Sequence, residues 1–335
     1  MGSPTELTAT QETAAGPAHA SKSFAAAMLM VACLCWASFF SLAKNWQNAS
    51  LNCPGDDLVA SLTLISIRSV LALVLFAAVK PGLFLRPTRR EWLLGALLGL
   101  VNFAGNALQV WGLATTSPAL SGFFTSLASL WVPLLAFAWL RLPIAWATWF
   151  GLIVGGAGLV VLGLDPSQGW TLGRGEGLTF LSSIIFAVFI LLLDRLGRSV
   201  RSSQLALGLI ALGGLPAVPL AVGVTAAGPG VDVWLRWVIE MLRDPWVLKD
   251  IVLMTILSTV IATILMSTFQ PRVSASRAAL IYLFEPVFAA TLSVLLRHDV
   301  VTVRLIAGCG LILGANALVE LPLWLRGFAS RRRSA

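Results

Sequence analysis

Tyr282-Leu-Phe-Glu-Pro-Val-Phe-Ala-Ala290, "YLFEPVFAA", lies inside a run from Ala278 to Leu296 that holds no other charge. As a helix, that run is long enough to cross a bilayer. A carboxylate near the middle of a spanning helix is disfavoured by roughly 2.5 to 3.5 kcal/mol on insertion scales. The proline that follows removes a helical hydrogen bond and crowds the residue four before it. Two such residues side by side predict that this helix faces protein or a watery space as well as lipid.

The rest of the chain supports a lipid solvent. Of its 335 residues, 58% are hydrophobic and only 11% charged, and the mean hydropathy is +0.87. An all-α integral membrane protein is predicted. Apolar runs of spanning length fall near 24–43, 58–79, 92–113, 118–140, 145–164, 177–193, 204–225, 251–269, 278–296 and 300–325, which predicts ten transmembrane helices. The polar residues 1–23 read as a flexible tail. They lack the basic start of a cleaved signal, and Glu6 stands where a myristoylation motif needs Ser or Thr.

Lys and Arg are unevenly shared between alternate loops. With the N-terminus inside, 15 of the 23 basic residues fall on inner segments and 7 on outer ends, with Arg68 inside a span. The positive-inside rule therefore predicts cytoplasmic termini at both ends, in a plasma membrane, or the inner membrane of a bacterium. The net charge of +8 reflects anchoring at anionic lipid and implies no nucleic-acid partner. Cys33, Cys35, Cys53 and Cys309 form neither a disulfide framework nor a zinc pattern.

An internal repeat organises the motifs. A shift of 153 positions places Pro118 on Pro271, Ser121 on Ser274, Leu127 on Leu280, Pro133 on Pro286 and Ala136 on Ala289. Gly151-Leu-Ile-Val-Gly155 matches Gly310-Leu-Ile-Leu-Gly314, and Trp36-Ala-Ser-Phe39 lies over Phe186-Ala-Val-Phe189. Five spans plus five, an odd number each, predict two inverted repeats with a pathway between them. The boundaries are 24–164 and 177–325, joined by a linker at 165–176. An outer segment, 226–250, interrupts the second repeat, and a basic tail occupies 326–335.

"LFEPVFAATLSVLL" (Leu283–Leu296) and "IAGCGLILGANALV" (Ile306–Val319) resemble the Leu-x-Glu-Pro-Val stretch and closing glycine-rich helix of the EamA-type drug/metabolite transporters. Arg68 in "LISIRSVLALVLF" and the opening "GEGLTFLSSIIFAVFILLLDR" of the second half are similar too. Two turns depart from that pattern: "RHDVV" has Asp299 where Gly-Glu is usual, and "RLPI" carries no acid. The resemblance implies a secondary transporter that exports a small organic metabolite, amino acids or related amphipathic solutes leading, by alternating access. A lipid flippase or a structural membrane protein is the alternative.

Candidate pathway residues follow from polarity inside spans. Glu285 and Arg68 are the intramembrane charges, either an ion pair that breaks and reforms or, for Glu285, a proton carrier. Asn102, Asn106 and Gln109 share a helical face, and Thr255 and Thr259 stand at the 153 offset, continued by Thr263 and Ser267. Trp36, Trp111, Trp131, Phe186 and above all Tyr282, the only tyrosine, offer aromatic faces. Pro133 and Pro286 should kink their helices by releasing the carbonyls of Ser129 and Tyr282. Gly151, Gly155, Gly310 and Gly314 let two spans pack closely on each other or on a second copy in a homodimer. In "VDVWLRWVIEMLRDPW", charged and apolar residues separate onto opposite helix faces, which predicts an interfacial helix, lid or connector.

No enzyme and no cofactor are predicted. His19 and His298 are the only histidines, no HExxH or G-x-S-x-G motif occurs, and "GPAHASKS" (Gly16–Ser23) has Ser21 where a phosphate-binding loop needs glycine.

Overall fold

In lipid a backbone can satisfy its N–H and C=O groups only within helices or closed barrels. The structure, a computed structural model, describes residues 22–79, 87–116, 118–141, 146–163, 173–295, 300–315 and 318, and among them there are helices and no strands. Of the predicted tail at 1–23, residues 1–21 lie outside the described residues, as do the tail at 326–335, most of the linker and most of the two atypical turns, whereas Lys22 and Ser23 are already helical.

The first half runs through α1 (Lys22–Ala49), α2 (Asp57–Val79), α3 (Arg89–Thr115), α4 (Pro118–Ser126), α5 (Ala128–Leu140) and α6 (Trp146–Gly163). The second runs through α7 (Arg174–Leu196), α8 (Ser202–Leu212), α9 (Ala217–Ala227), α10 (Val231–Arg243), α11 (Pro245–Met254), α12 (Ala262–Phe269), α13 (Ala275–Tyr282) and α14 (Glu285–Leu295). A last helix, α15, covers Val303–Ala315. Grouped by continuity, eight helical stretches are long and apolar enough to cross a membrane, and Trp149–Val161 and Val303–Ala315 are shorter apolar helices. The ten apolar runs thus return as eight helices of spanning length and two shorter ones among the described residues.

Four of the eight are interrupted at half height. α4 and α5 meet at Leu127, and α13 and α14 at Leu283 and Phe284. α8 and α9 join through Gly213–Pro216, and α11 passes into α12 through a π-helical turn, Thr255–Ile261. Of the two expected proline kinks, that of Pro286 coincides with a break, at Leu283–Phe284 between the proline and Tyr282, and that of Pro133 does not. Pro286 is the second residue of α14, where its missing N–H has no helical partner to lose. Pro133 lies within α5, and the break comes six residues earlier.

The outside of the bundle is apolar, with Leu97, Phe137, Trp139, Ile153 and Val303 exposed. Its interior mixes Leu29, Leu98, Val132, Leu193, Leu205 and Ala278 from both halves with buried Thr63, Gln109, Thr179, Ser182, Thr255 and Gln270. Most of these hydroxyls bond back to their own helix, as Thr179 does to the Gly175 carbonyl, which removes the cost of burying them.

Helix α3 joins the halves. Glycines let its backbone approach α7 and α8: a Cβ on Gly95 would stand 3.3 Å from the Gly208 Cα, and one on Gly112 would stand 2.7 Å from the Gly175 oxygen. At the N-terminus of α3, Thr88 and Glu91 form a reciprocal capping box. Glu91 also accepts from Arg201 Nε at 2.6 Å and Nη2 at 2.9 Å. Thr88→Ala should lower thermal stability by about 1 kcal/mol. Glu91→Ala should lower it further, because the contact with α8 goes too; melting curves of detergent-solubilised protein would show the order.

At the other face of the bundle α10 is tied to protein. Gly230, at φ 98°, turns the chain into it with a backbone that other residues adopt poorly. Trp234 is buried and donates its indole N–H to Thr63 Oγ1 at 2.9 Å, while Trp237 stands edge-on to Trp46 at 5.8 Å. The expected separation of faces holds, with Asp232 and Arg236 exposed on the other side. Near it, the α1–α2 loop carries Cys53, half-buried. Burial first, then the carboxylates of Asp56 and Asp57, push its thiol up to about 12. Since the thiolate is the reactive form, alkylation of Cys53 should be slow near neutral pH and rise roughly tenfold per pH unit toward that value, as mass spectrometry of labelled protein would record.

Candidate functional site

The interruptions surround a cavity of about 140 Å³. Trp36, Arg68, Asn102, Thr259 and Glu285 line it, and each lies near the middle of its own spanning stretch. The cavity therefore sits at half height between the two repeats.

Of the residues expected along a pathway, Glu285, Tyr282, Arg68, Asn102, Asn106, Gln109, Thr259 and Trp36 line this space, as do Thr263 and Phe186. Thr255 does not. It is fully buried and its hydroxyl donates to the Ile251 carbonyl. The π turn begins at Thr255, and its wider i→i+5 winding alters the angle between Thr255 and Thr259 that an α-helix would impose. Ser267 is buried away from the cavity. Trp111 carries the Arg174 guanidinium 4.5 Å from its ring centroid, and Trp131 donates to Ser183 Oγ at 3.2 Å. Neither reaches the cavity.

The two charges that line the cavity do not pair. Arg68 Nε and Nη2 both donate to Thr259 Oγ1, at 3.1 and 2.8 Å, and the guanidinium lies 4.8 Å from the centroid of Phe39. Glu285 makes no ion pair among the described residues. The expected Arg68–Glu285 bridge is therefore absent from this conformation. Glu285 opens α14, in its first turn. The unpaired N–H groups of a helix start favour negative charge there, so the break at Leu283–Phe284 explains how the acid and the following proline are tolerated together.

A second set of contacts walls the cavity on the side of α12. Tyr282 donates its hydroxyl to Gln270 Oε1 at 2.6 Å, Gln270 donates to the Ile190 carbonyl at 3.2 Å, and Trp36 meets Tyr282 edge-on at 5.4 Å. On the α3 side, Gln109 donates to Thr125 Oγ1 at 3.0 Å and Asn106 donates to the Asn102 carbonyl at 2.9 Å. Sequence reasoning missed Ser69, Thr125, Ser126, Ser129 and Ser258, all lining residues. One signal was present: Ser129 stands at the 153 offset from Tyr282, and their symmetry should have marked it.

The glycine pairs behave unequally. A Cβ on Gly155 would meet Leu283 at 3.0 Å and Ala315 at 3.5 Å, and one on Gly158 would meet the Gly308 oxygen and Ile312 at 2.9 Å. Gly310 and Gly314 have nothing within 4 Å of a Cβ. The α6–α15 contact thus uses Gly155 and Gly158 against Gly308, Ile312 and Ala315, and Gly310 and Gly314 take no part in it. Gly151 is buried. No group of metal-ligating side chains occurs among the described residues.

Eight helices of spanning length with an apolar outside, around a cavity that carries polar side chains at mid-height, define a multi-pass membrane protein. Residues 23–164 and 173–321 each match the EamA-like transporter family. The chain belongs to that family, within the drug/metabolite transporter superfamily, and its members are transporters. No curated protein matches. Among the solved structures that match, one crystal structure has a TM-score of 0.63 and 21% identity, over 90% of this chain and 98% of that one. At that identity the likeness shows the fold alone.

Proposed function

We propose that this protein is a secondary transporter that moves a small amphipathic organic solute, outward, by alternating access. The observation that carries the reading is the cavity itself, lined by polar side chains set among aromatic and aliphatic ones, where two family-matched halves meet at half height. In this reading the chain crosses ten times, as two inverted five-helix repeats, with both termini cytoplasmic. The α2–α3 and α7–α8 ends face inward and α10 lies outside.

Helix interruptions at the centre of transporter repeats offer backbone and side-chain polar groups to solute while the bundle outside stays apolar. The breaks at Leu127, Gly213–Pro216, Thr255–Ile261 and Leu283–Phe284 ring the cavity in that manner. Glu285, unpaired in the wall, supplies the group through which a proton gradient could drive the cycle.

Proteoliposomes offered a mixed panel of labelled metabolites, with and without an imposed pH gradient, test this directly. The proposal expects gradient-driven movement of one solute class. Folded protein that moves no solute under either condition would favour lipid translocation or a structural role.

A further inference from the structure

Of the three guanidinium nitrogens of Arg68, only Nε and Nη2 find an acceptor among the described residues. It is only 8% exposed, at the centre of α2, and lines the cavity. A guanidinium has five N–H donors in a fixed fork and carries its charge in proteins. Here Nε and Nη2 share one neutral acceptor, Thr259 Oγ1. One face rests on Phe39, and no carboxylate pairs with it among the described residues. A buried cation held by one hydroxyl and one aromatic ring is under-compensated.

Resting on the transporter reading above, we infer that Arg68 is the anchor for a carboxylate on the transported solute, whose apolar body lies against Trp36, Phe39 and Phe186. The fork of the guanidinium matches two carboxylate oxygens side by side. Thr259, already accepting from Arg68, holds the fork in place and keeps its own hydroxyl proton free to donate to the incoming anion. Charge limits the ligand further. Arg68 is the only cation among the lining residues, so a monocarboxylate neutralises it, whereas a dianion such as a phosphate monoester brings a second negative charge that no lining cation meets. A solute bearing only an ammonium has no partner at Arg68, whose guanidinium repels it. The cavity of about 140 Å³ restricts the body to a small one.

The test uses three probes with one body and different heads: phenylacetate, phenylethanol and phenethylamine, each radiolabelled. Equilibrium binding to the full-length protein in detergent should favour phenylacetate by about 30-fold or more. Arg68→Gln should abolish the preference, and Arg68→Lys should keep part of it by retaining charge without the fork. Should Arg68→Gln fail to fold, Thr259→Val gives the second reading: phenylacetate binding falls several-fold while phenylethanol binding is unchanged. Equal binding of the three heads, no binding of any, or a preference that survives Arg68→Gln overturns the inference. Counterflow of the same probes in proteoliposomes separates it from the parent reading. Phenylacetate that binds through Arg68 but does not exchange supports the anion site and sinks transport. Phenylethanol or phenethylamine that exchanges independently of Arg68 supports transport and sinks the anion site.

Discussion

Glu285→Gln is expected to leave the protein folded and to reduce solute flux under an imposed pH gradient to the rate seen without one. Glutamine keeps the size and hydrogen-bonding reach of glutamate but cannot bind and release a proton. Because Glu285 makes no ion pair among the described residues, the substitution orphans no buried partner, the usual cause of large losses when a buried charge is removed. Its position in the first turn of α14 also tolerates a neutral amide. Flux of wild type and variant, measured on matched proteoliposomes with and without the gradient, checks this. Equal gradient-driven rates would remove Glu285 from proton handling and leave it as a packing residue.

Gly112→Leu should have a large effect on the fold. Its Cβ alone would stand 2.5 Å from Thr179 Oγ1 and 2.7 Å from the Gly175 oxygen. Those atoms belong to α7, in the other half of the molecule, and backbone cannot rotate away as a side-chain tip can. Overpacking costs typically about 1 to 3 kcal/mol, and a clash with backbone at the joint between the repeats belongs at or above the upper end. Gly177→Leu is the control, since nothing lies within 4 Å of a Cβ there, and surface changes of that kind stay within about 0.5 kcal/mol. Thermal unfolding in detergent should separate the two variants, with Gly112→Leu also losing folded yield.

Much of this architecture is visible in the sequence because lipid imposes a simple rule: long apolar runs are helices, and polar residues within them are costly and so stand out. Arg68, Glu285 and the Asn102–Asn106–Gln109 stripe could be placed in one interior on that ground, and they do line one cavity. What was not legible depends on details of winding and partner choice. The π turn at Thr255–Ile261 carries no residue that would announce it, so Thr255 looked equivalent to Thr259 and is not. Pro286 marked the break at Leu283–Phe284, but Pro133 did not mark its own, which lies six residues earlier at Leu127. Glycine spacing alone cannot say which glycines face a neighbour. The pairs that matched by repeat included Gly310 and Gly314, where a Cβ would meet nothing within 4 Å among the described residues, whereas Gly158, Gly95 and Gly112 carry close contacts.

Access to the cavity from both sides of the membrane is the central claim, and Asn106, in its wall, reports it. With Cys33, Cys35, Cys53 and Cys309 replaced by alanine, Asn106→Cys is labelled with a membrane-impermeant thiol reagent applied to one face of the membrane or the other. Alternating access predicts reaction from both faces, with one rate rising as the other falls when a pH gradient is imposed. Reaction from a single face under every condition would contradict the account.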